Sequence, residues 1–320
     1  MLRKLVYRLV SRYYLRKPDW AEFMETRYGS WRSIYYNVLN QMCFLMGLPY
    51  APKITSLQFE LTNTCNLKCK MCPVNRGMKR KRGFMNYRLF KRVVDQNPKA
   101  EFALLFNWGE PLLHPDVFRM ARYLHSKGIR PFLTTNAVLL DNEKTDRLLT
   151  CGIDRITVSL DGCNESYERV RGVNYPSVEA AIERLLKRRR ELKSKTRIDV
   201  SMVVFKDTEP YVDDFVRKWK PRVNRLQLQP CLDFNARRKT ICKEPWRGNI
   251  VILWDGRVTV CCVDYEGHMI IGDANKQSLR DIWNGRAIRM IRRMHLKKNF
   301  KGVCERCGEY ETGYVDSRFD

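Results

Sequence analysis

The sequence predicts an α/β fold built on a parallel sheet, because strand-like and helix-like segments alternate from residue 55 to about residue 230. The strand candidates are Leu57–Leu61, Phe102–Trp108, Phe132–Thr135, Arg155–Leu160, Ile198–Phe205 and Leu226–Gln229. Helical patterns lie between them, for example at Val117–Ser126 and Val178–Leu192. Strands that alternate with helices in this way form parallel sheets with crossover helices. Functional residues in such folds gather at the carboxyl ends of the strands.

The pattern changes after the sixth strand, which indicates a second, smaller unit. Two strand-like segments flank Asp255-Gly256, a strong signal for a β-hairpin; they are Ile250–Trp254 and Arg257–Cys261. A helical stretch at Ser278–Met294 then leads to the pair Cys304 and Cys307. We therefore predict three parts: an N-terminal arm at 1–52, a core domain at 53–232 and a small α+β cysteine-bearing domain at 233–320.

The N-terminal arm has the pattern of basic amphipathic helices. Basic side chains recur every four residues, at Lys4, Arg8, Arg12 and Arg16. Apolar residues line another face, at Leu2, Leu5, Val6, Leu9 and Tyr13. A second apolar stretch follows at Trp31, Ile34, Val38, Met42 and Leu45. Such helices are typical of proteins that lie on a membrane surface, and the alternative is a pair of helices packed on the core domain.

Composition and charge restrict the class of partner. The chain has 320 residues and contains no run of about 18 apolar residues, so the sequence predicts no transmembrane helix. The N-terminus lacks the apolar stretch and cleavage site of a secretory signal, so we expect a cytoplasmic protein. The net charge of +25 favours an anionic partner. Nucleic acid is an unlikely partner, because no RNA-binding module accompanies the charge. The basic runs 79–82 and 187–190 are interpreted as solvated surfaces.

Three cysteines follow the first strand closely, at Cys65, Cys69 and Cys72. Clustered thiolates select zinc or iron–sulfur clusters. A closed zinc site needs four ligands, whereas this loop supplies three and has no histidine nearby. Three cysteines on a four-iron cluster would leave one iron open to chemistry. Zinc with a distant fourth ligand, or coincidence, remain alternatives.

The CxxxCxxC spacing after the first strand resembles the radical S-adenosylmethionine (radical SAM) superfamily. Asn107-Trp-Gly-Glu-Pro111 resembles that family's GGEP motif, with Trp108 in place of the first glycine. Further matching positions follow the third and fourth strands. The resemblance covers roughly residues 55 to 310 and implies a partial (β/α)6 TIM-like barrel. It also implies that SAM is bound by Gly109, Glu110, Asn136, Ser159 and Asp161. The structural alternatives are a helix cap for Ser159 and a turn for Asn136.

The resemblance also implies a reaction. The open iron would chelate the amino and carboxylate groups of SAM. An electron from the reduced cluster would cleave the sulfonium, which gives methionine and a 5′-deoxyadenosyl radical that abstracts a hydrogen atom from the substrate. The cofactors would carry this chemistry, while the protein orients them. The electron would come from a donor such as ferredoxin or flavodoxin.

A second set of cysteines lies in the C-terminal part, at Cys242, Cys261, Cys304 and Cys307. The spacing from Cys242 through Gly256 to Cys261 resembles the start of the SPASM motif, and the chain has no cysteine after Cys307. The resemblance therefore implies the shorter "twitch" form, with one auxiliary 4Fe–4S cluster. A structural zinc site is the alternative. Cys262 competes with Cys261 as a ligand, and the glycine spacing favours Cys261.

Three functions are compatible with these patterns. The first is an oxidoreductase that acts on a small or lipid-linked anionic molecule and passes an electron to the auxiliary cluster. The second is a peptide-modifying maturase, although the arm is too short for the peptide-binding module of many such enzymes. The third, modification of RNA, depends on charge alone. A non-enzymatic binding protein is disfavoured, because an open-iron motif has no evident use without chemistry.

Overall fold

The computed structural model of the chain describes residues 31–75, 77–231 and 237–307. The predicted basic helix at Leu2–Arg16 lies outside these residues. The second apolar stretch of the arm forms helix α1, Trp31–Leu45. Cys43 and Phe44 on this helix pack against the core, and the Phe44 ring meets Trp246 edge-on with 5.3 Å between ring centroids. Met42 and Leu45, which we had assigned to the same apolar stretch, are exposed instead.

Six strands of the core domain pair in parallel and in chain order, as the alternating pattern predicts. They are β1 Ser56–Phe59, β2 Phe102–Leu104, β3 Arg130–Thr135, β4 Arg155–Ser159, β5 Arg197–Val204 and β6 Arg225–Pro230. All four residues of β1 are buried, which is typical of parallel strands covered on both faces. The sheet does not close into a complete barrel, since β6 remains at one edge.

Helices cover the outside of this sheet. They are α2 Tyr87–Gln96, α3 Val117–Ser126, α4 Asn142–Thr150, α5 Asn164–Arg171, α6 Tyr175–Glu191 and α7 Val212–Trp219. Side chains of Asn86, Asp141 and Asn174 accept hydrogen bonds from the first-turn amides of α2, α4 and α6. These caps satisfy amides that have no partner within the helix and so define where each helix begins.

The C-terminal unit continues the same sheet. Strand β7, Asn249–Ile252, pairs in parallel with β1. It then forms an antiparallel hairpin with β8, Arg257–Thr259, as Asp255-Gly256 predicts, and β9, Ile270–Asp273, completes the order. Within the described residues, nine strands thus form one sheet in the order β6-β5-β4-β3-β2-β1-β7-β8-β9. The sheet is therefore continuous across the predicted domain boundary at 232/233.

The long helix predicted at Ser278–Met294 is wrong as a single element. Two helices occupy this stretch, α8 Leu279–Trp283 and α9 Arg286–Leu296. Asn284 lies at the break, and its side-chain amide donates to the carbonyl of Ala51 at 2.9 Å. This contact joins the break to the segment that precedes β1. Asn284-Gly285 is a local turn signal, with Asn284 ending α8 and Gly285 preceding α9, whereas the Ala51 partner lies 233 residues away.

Candidate active site

The loop after β1 carries the three predicted thiols at the carboxyl edge of the sheet. Cys69 is buried, while Cys65 and Cys72 are half-buried. The amide of Leu67 donates to the Cys65 sulfur at 3.5 Å. Burial, above all, raises the pKa of Cys72 to about 11, and the charges of Cys69 and Cys65 add to this effect. The negative charges of Cys69 and Cys65 therefore oppose ionisation of Cys72.

Side chains that sequence reasoning did not select hold this loop in shape. The guanidinium of Arg82 donates to the carbonyls of Asn63 and Val74. The side-chain amide of Asn75 donates to the carbonyl of Leu67 at 2.7 Å. Carbonyls on both sides of the cysteines are therefore hydrogen-bonded to side chains of the same loop.

Arg80 forms a buried ion pair with Glu60, which follows β1. Its Nη1 and Nη2 donate to the two carboxylate oxygens at 2.9 and 2.6 Å. Its Nε also donates to the carbonyl of Tyr265, 185 residues away. The interpretation of 79–82 as a solvated run is therefore wrong for Arg80, since packing of the cysteine loop against the C-terminal unit removes this side chain from water.

Gly109 and Glu110 occupy a tight turn beside the cysteine loop. Gly109 has φ +99°, and a Cβ there would lie 2.4 Å from the carbonyl oxygen of Thr62, so the position requires glycine. The Glu110 carboxylate accepts hydrogen bonds from Thr135 Oγ1 and the amides of Asn136 and Leu112. Burial raises the pKa of Glu110, and these three donors oppose that effect. The carboxylate thus has a fixed orientation.

Asn136 connects this carboxylate to the cysteine loop. Its Nδ2 donates to Asn66 Oδ1 at 2.9 Å and lies 3.9 Å from the Cys65 sulfur. Burial is the main cause of the raised pKa of Cys65, and the negative charges of Glu110 and Cys69 add to this effect. The structure therefore brings Gly109, Glu110 and Asn136 together with the predicted cluster ligands. Their contacts with SAM remain predictions.

Asp161 contacts the protein itself. It is buried after β4, and its Oδ1 accepts a hydrogen bond from the Val203 amide at 2.6 Å. Its Oδ2 lies 2.6 Å from Nη2 of Arg171, a buried residue at the end of α5 that sequence reasoning missed. Ser159 is half-buried at the end of β4. SAM binding by Ser159 and Asp161 remains a prediction, and both Asp161 oxygens already contact protein groups.

Another buried arginine, Arg238, lies beside part of the second set of cysteines. Its Nη2 donates to the Cys307 sulfur at 3.0 Å, and its Nε donates to the Cys304 carbonyl at 3.2 Å. Burial is the main cause that raises the pKa of Cys304 to about 12, and the charges of Cys242 and Cys307 add to it. Cys242, Cys304 and Cys307 all interact electrostatically with Arg238, and their shared role as cluster ligands remains a prediction.

Cys261 and Cys262 differ in their surroundings. The Cys261 sulfur accepts a hydrogen bond from the Val263 amide at 3.4 Å, and its pKa is raised by Cys262 and by burial. The carbonyl of Cys262 accepts a hydrogen bond of 2.6 Å from the indole Nε1 of Trp108. Trp108, which replaces a glycine of the GGEP-like motif, thus joins that motif to the second cysteine set.

These donor sets fit iron–sulfur clusters in their chemistry. Within the described ranges, no group of three His, Cys, Asp or Glu side chains is close enough to hold a metal ion directly. Each site nevertheless combines cysteine sulfurs with amide or guanidinium donors, and hydrogen bonds of this kind to sulfur are typical of iron–sulfur sites. In the part of the chain that the structure describes, no helix is both long and apolar enough to span a bilayer.

Comparisons with known proteins agree with this arrangement. The profile of the Radical SAM superfamily matches residues 59–218, half of the chain. The profile of the SPASM iron–sulfur cluster-binding domain matches residues 242–308. The solved structure of BtrN in complex with AdoMet and 2-DOIA aligns with a TM-score of 0.58 at 18% identity, covering 82% of this chain and 98% of that one. The predicted fold class is thereby confirmed.

Two curated relatives illustrate the range of similar proteins. An AdoMet-dependent heme synthase of Methanosarcina barkeri is 34% identical over 131 residues, which are 40% of this chain and 37% of that protein. An S-adenosyl-L-methionine-dependent 2-deoxy-scyllo-inosamine dehydrogenase of Niallia circulans is 23% identical over 256 residues, 78% of this chain and 90% of that protein. The chain spans well under half the length of the heme synthases that it matches.

Family membership establishes the cofactors that the motifs predict. A radical SAM domain implies a 4Fe–4S cluster and SAM, and a SPASM domain implies auxiliary iron–sulfur chemistry. The prediction of an enzyme of this class is likewise confirmed. Half of the chain matches one profile, and the thiol-bearing loop, the glycine turn and the buried glutamate meet at one edge of its parallel sheet. The chain therefore belongs to the radical SAM superfamily and carries a C-terminal SPASM domain.

Proposed function

We propose that Cys65, Cys69 and Cys72 hold the SAM-binding cluster and that the enzyme oxidises a small or lipid-linked anionic molecule. The observation that carries this proposal is the hydrogen-bonded connection from Glu110 through Asn136 to the cysteine loop. It supports the proposal because the Glu110 carboxylate, which we propose accepts a hydrogen bond from the SAM amino group, is linked through Asn136 to the loop that carries the thiols. When bound, the cluster and SAM supply reductive cleavage of the sulfonium and a 5′-deoxyadenosyl radical.

The residues around this site orient SAM rather than transfer protons. Glu110 is fixed by three donors, so its carboxylate can accept a hydrogen bond from the amino group without reorganising. Gly109 lets the backbone approach the Thr62 carbonyl closely, which fixes the turn that carries Glu110. Such fixed donors and acceptors contribute through positioning, because they already have the geometry that the reaction needs.

An oxidoreductase on a small molecule is the reaction class that the similarities favour. The dehydrogenase from Niallia circulans matches over 90% of its own length, so the similarity includes both domains. The net charge of +25 supports an anionic substrate. Oxidation of such a substrate releases an electron after hydrogen abstraction, and an auxiliary cluster gives that electron an acceptor.

The auxiliary cluster is proposed to be a single 4Fe–4S cluster in the second cysteine set. Its four ligands are Cys242, Cys261, Cys304 and Cys307. Cys242, Cys304 and Cys307 interact electrostatically with Arg238. Cys261 is preferred to Cys262 because its spacing from Gly256 resembles the SPASM motif, and its sulfur accepts a hydrogen bond from the Val263 amide at 3.4 Å.

A peripheral membrane contact is proposed for the N-terminal arm, in keeping with a lipid-linked substrate. Beside the end of α1, several large apolar side chains are exposed: Met42, Leu45, Met46, Leu48 and Tyr50. An exposed group of this kind is uncommon away from binding surfaces. The basic residues of segment 1–16 precede it in sequence, and basic and apolar groups together suit an anionic bilayer.

The central test is iron content and SAM cleavage after anaerobic reconstitution. The wild-type chain should bind about eight irons from two four-iron clusters. The triple variant with Cys65, Cys69 and Cys72 changed to alanine should keep about half of that iron and produce no 5′-deoxyadenosine. Cys43→Ala is the matched control, since Cys43 lies on α1 and should not change either value. Production of 5′-deoxyadenosine by the triple variant would contradict the proposal.

The auxiliary site and the substrate class need separate measurements. A variant without the four C-terminal cysteines should keep about half of the iron and still cleave SAM, because the two ligand sets are separate. One equivalent of zinc in protein purified without oxygen would contradict an auxiliary cluster. Candidate small phosphorylated molecules, lipid-linked phosphates and peptides should then be compared for substrate-dependent 5′-deoxyadenosine. Stimulation by peptides alone would favour a maturase and refute the small-molecule assignment.

A further inference from the structure

Arg171 contacts a proposed ligand of the first cluster. This residue is buried at the end of α5, and its Nη1 donates to the Cys69 sulfur at 3.7 Å. Its Nη2 lies 2.6 Å from Asp161 Oδ2, and the other Asp161 oxygen accepts a hydrogen bond from the Val203 amide. One side of the guanidinium therefore faces a cysteine sulfur, while the other faces a carboxylate that is itself held by the backbone of β5.

Arg238 makes the corresponding contact in the second cysteine set. It is also buried, and its Nη2 donates to the Cys307 sulfur at 3.0 Å. Its Nε donates to the carbonyl of Cys304, and its amide donates to the carbonyl of Glu305. These backbone contacts fix the guanidinium in the loop that carries the last two cysteines.

A buried positive charge beside an iron–sulfur cluster affects its reduction. A cluster that gains one electron gains one negative charge, which a neighbouring guanidinium stabilises. Removing the cation therefore makes reduction harder, whereas removing a neighbouring carboxylate makes it easier. Charge interactions are strong where water is excluded, and hydrogen bonds to sulfur are among the determinants of cluster potential.

We propose that Arg171 sets the reduction potential of the first cluster and Arg238 that of the second. Asp161 lowers the potential of the first cluster, because its carboxylate holds Arg171 in place and partly offsets the positive charge of the guanidinium. The proposal rests on the ligand assignment made above for Cys69 and Cys307. Arg171 and Asp161 are positioning residues here, since they act on the cluster through a cysteine sulfur. The electron itself comes from an external reductant, so the proposal concerns how readily each cluster accepts it.

The two clusters serve as internal controls for each other. The probe is an EPR-monitored potentiometric titration with dithionite, without SAM, on reconstituted full-length protein. The cysteine-to-alanine variants of each set first assign the two EPR signals. Arg171→Gln should lower the potential of the first cluster only, by at least about tenfold in the reduction equilibrium, or about 59 mV for one electron. Arg238→Gln should lower the second potential only.

Opposite shifts distinguish an electrostatic role from a structural one. Asp161→Asn removes a negative charge and should raise the potential of the first cluster, opposite to Arg171→Gln. Arg169→Gln removes an exposed charge from the same helix and should leave both potentials unchanged. A general loosening of the loop would not produce shifts of opposite sign in these two variants.

The outcomes separate this proposal from the ligand assignment. If alanine at the assigned cysteines leaves both EPR signals intact, the ligand assignment is refuted. If that assignment holds but Arg171→Gln and Arg238→Gln leave the potentials unchanged, only the present proposal is overturned. If the Arg171→Gln protein does not take up the first cluster, the Asp161→Asn variant decides. A raised potential of the first cluster in that variant supports the proposal. An unchanged or lowered potential, or loss of the cluster, overturns it.

Discussion

Replacement of Arg80 by methionine should destabilise the protein strongly, because Glu60 would keep its buried carboxylate without the paired cation. The side chains of Arg80 and Glu60 are 5% and 0% exposed. Two charge-assisted hydrogen bonds join them, and such bonds contribute about 1.5–3 kcal/mol each. The remaining donors to Glu60, the Trp254 amide at 3.3 Å and Asn107 at 3.4 Å, are weaker. We therefore expect a loss of about 3–5 kcal/mol in unfolding free energy, the range for removing one member of a buried pair.

Urea unfolding of the reduced, cluster-free protein, followed by circular dichroism under anaerobic conditions, measures this loss. Lys79→Ala is the matched control, since Lys79 is the exposed neighbour of Arg80 and should change the free energy by no more than about 0.5 kcal/mol. The double variant with Glu60 and Arg80 both changed to methionine should recover much of the stability, because no buried charge is left unpaired. A cost below about 1 kcal/mol for Arg80→Met would refute the reasoning, since exposed ion pairs already reach that value.

Three further variants test other parts of the structure. Gly109→Ala should weaken SAM binding at least about tenfold in equilibrium dialysis, because a Cβ would lie 2.4 Å from the Thr62 carbonyl oxygen, and unchanged binding would contradict the need for glycine. Trp108→Phe removes a hydrogen bond of 2.6 Å to the Cys262 carbonyl and should cost about 0.5–1.5 kcal/mol in the same urea assay, since the contact is only partly buried. No measurable cost would show that this contact does not stabilise the fold. Deletion of residues 1–20 should abolish salt-sensitive co-sedimentation with anionic liposomes. If the full-length protein does not bind these liposomes at low salt, or if deletion unfolds the core, the arm has a structural role.

The sequence alone located most of the strands and the thiol-bearing loops. Helix Val117–Ser126 is present with the predicted bounds, and all six core strands lie within a few residues of their predicted positions. These features depend on short stretches of apolar residues and on cysteine spacing, both of which are local properties. The same holds for the hairpin at Asp255-Gly256, because its turn is encoded in two residues.

Helix breaks and solvent exposure were less predictable. The stretch Ser278–Met294 was assigned one helical pattern but forms two helices, separated at Asn284-Gly285, a local turn signal that the pattern overlooked. Met42 and Leu45 fit an apolar pattern yet are exposed, since only Cys43 and Phe44 of the same turn reach the core. Only the second case depends on contacts with segments that are distant in sequence.

The order and spacing of motifs thus determined the superfamily, the fold class and the cysteine loops, because a cluster-binding loop is a local arrangement. Only the tertiary structure decided which charged residues leave the solvent. Among 60 lysines and arginines, Arg80, Arg171 and Arg238 are buried beside the proposed cluster ligands or the loop that carries them. Nothing in their immediate sequence distinguishes them from solvated neighbours. Their partners, including Tyr265, Asp161 and Cys307, reach them only after distant strands and loops have packed, and burial of a charge is stable only where that packing supplies such partners.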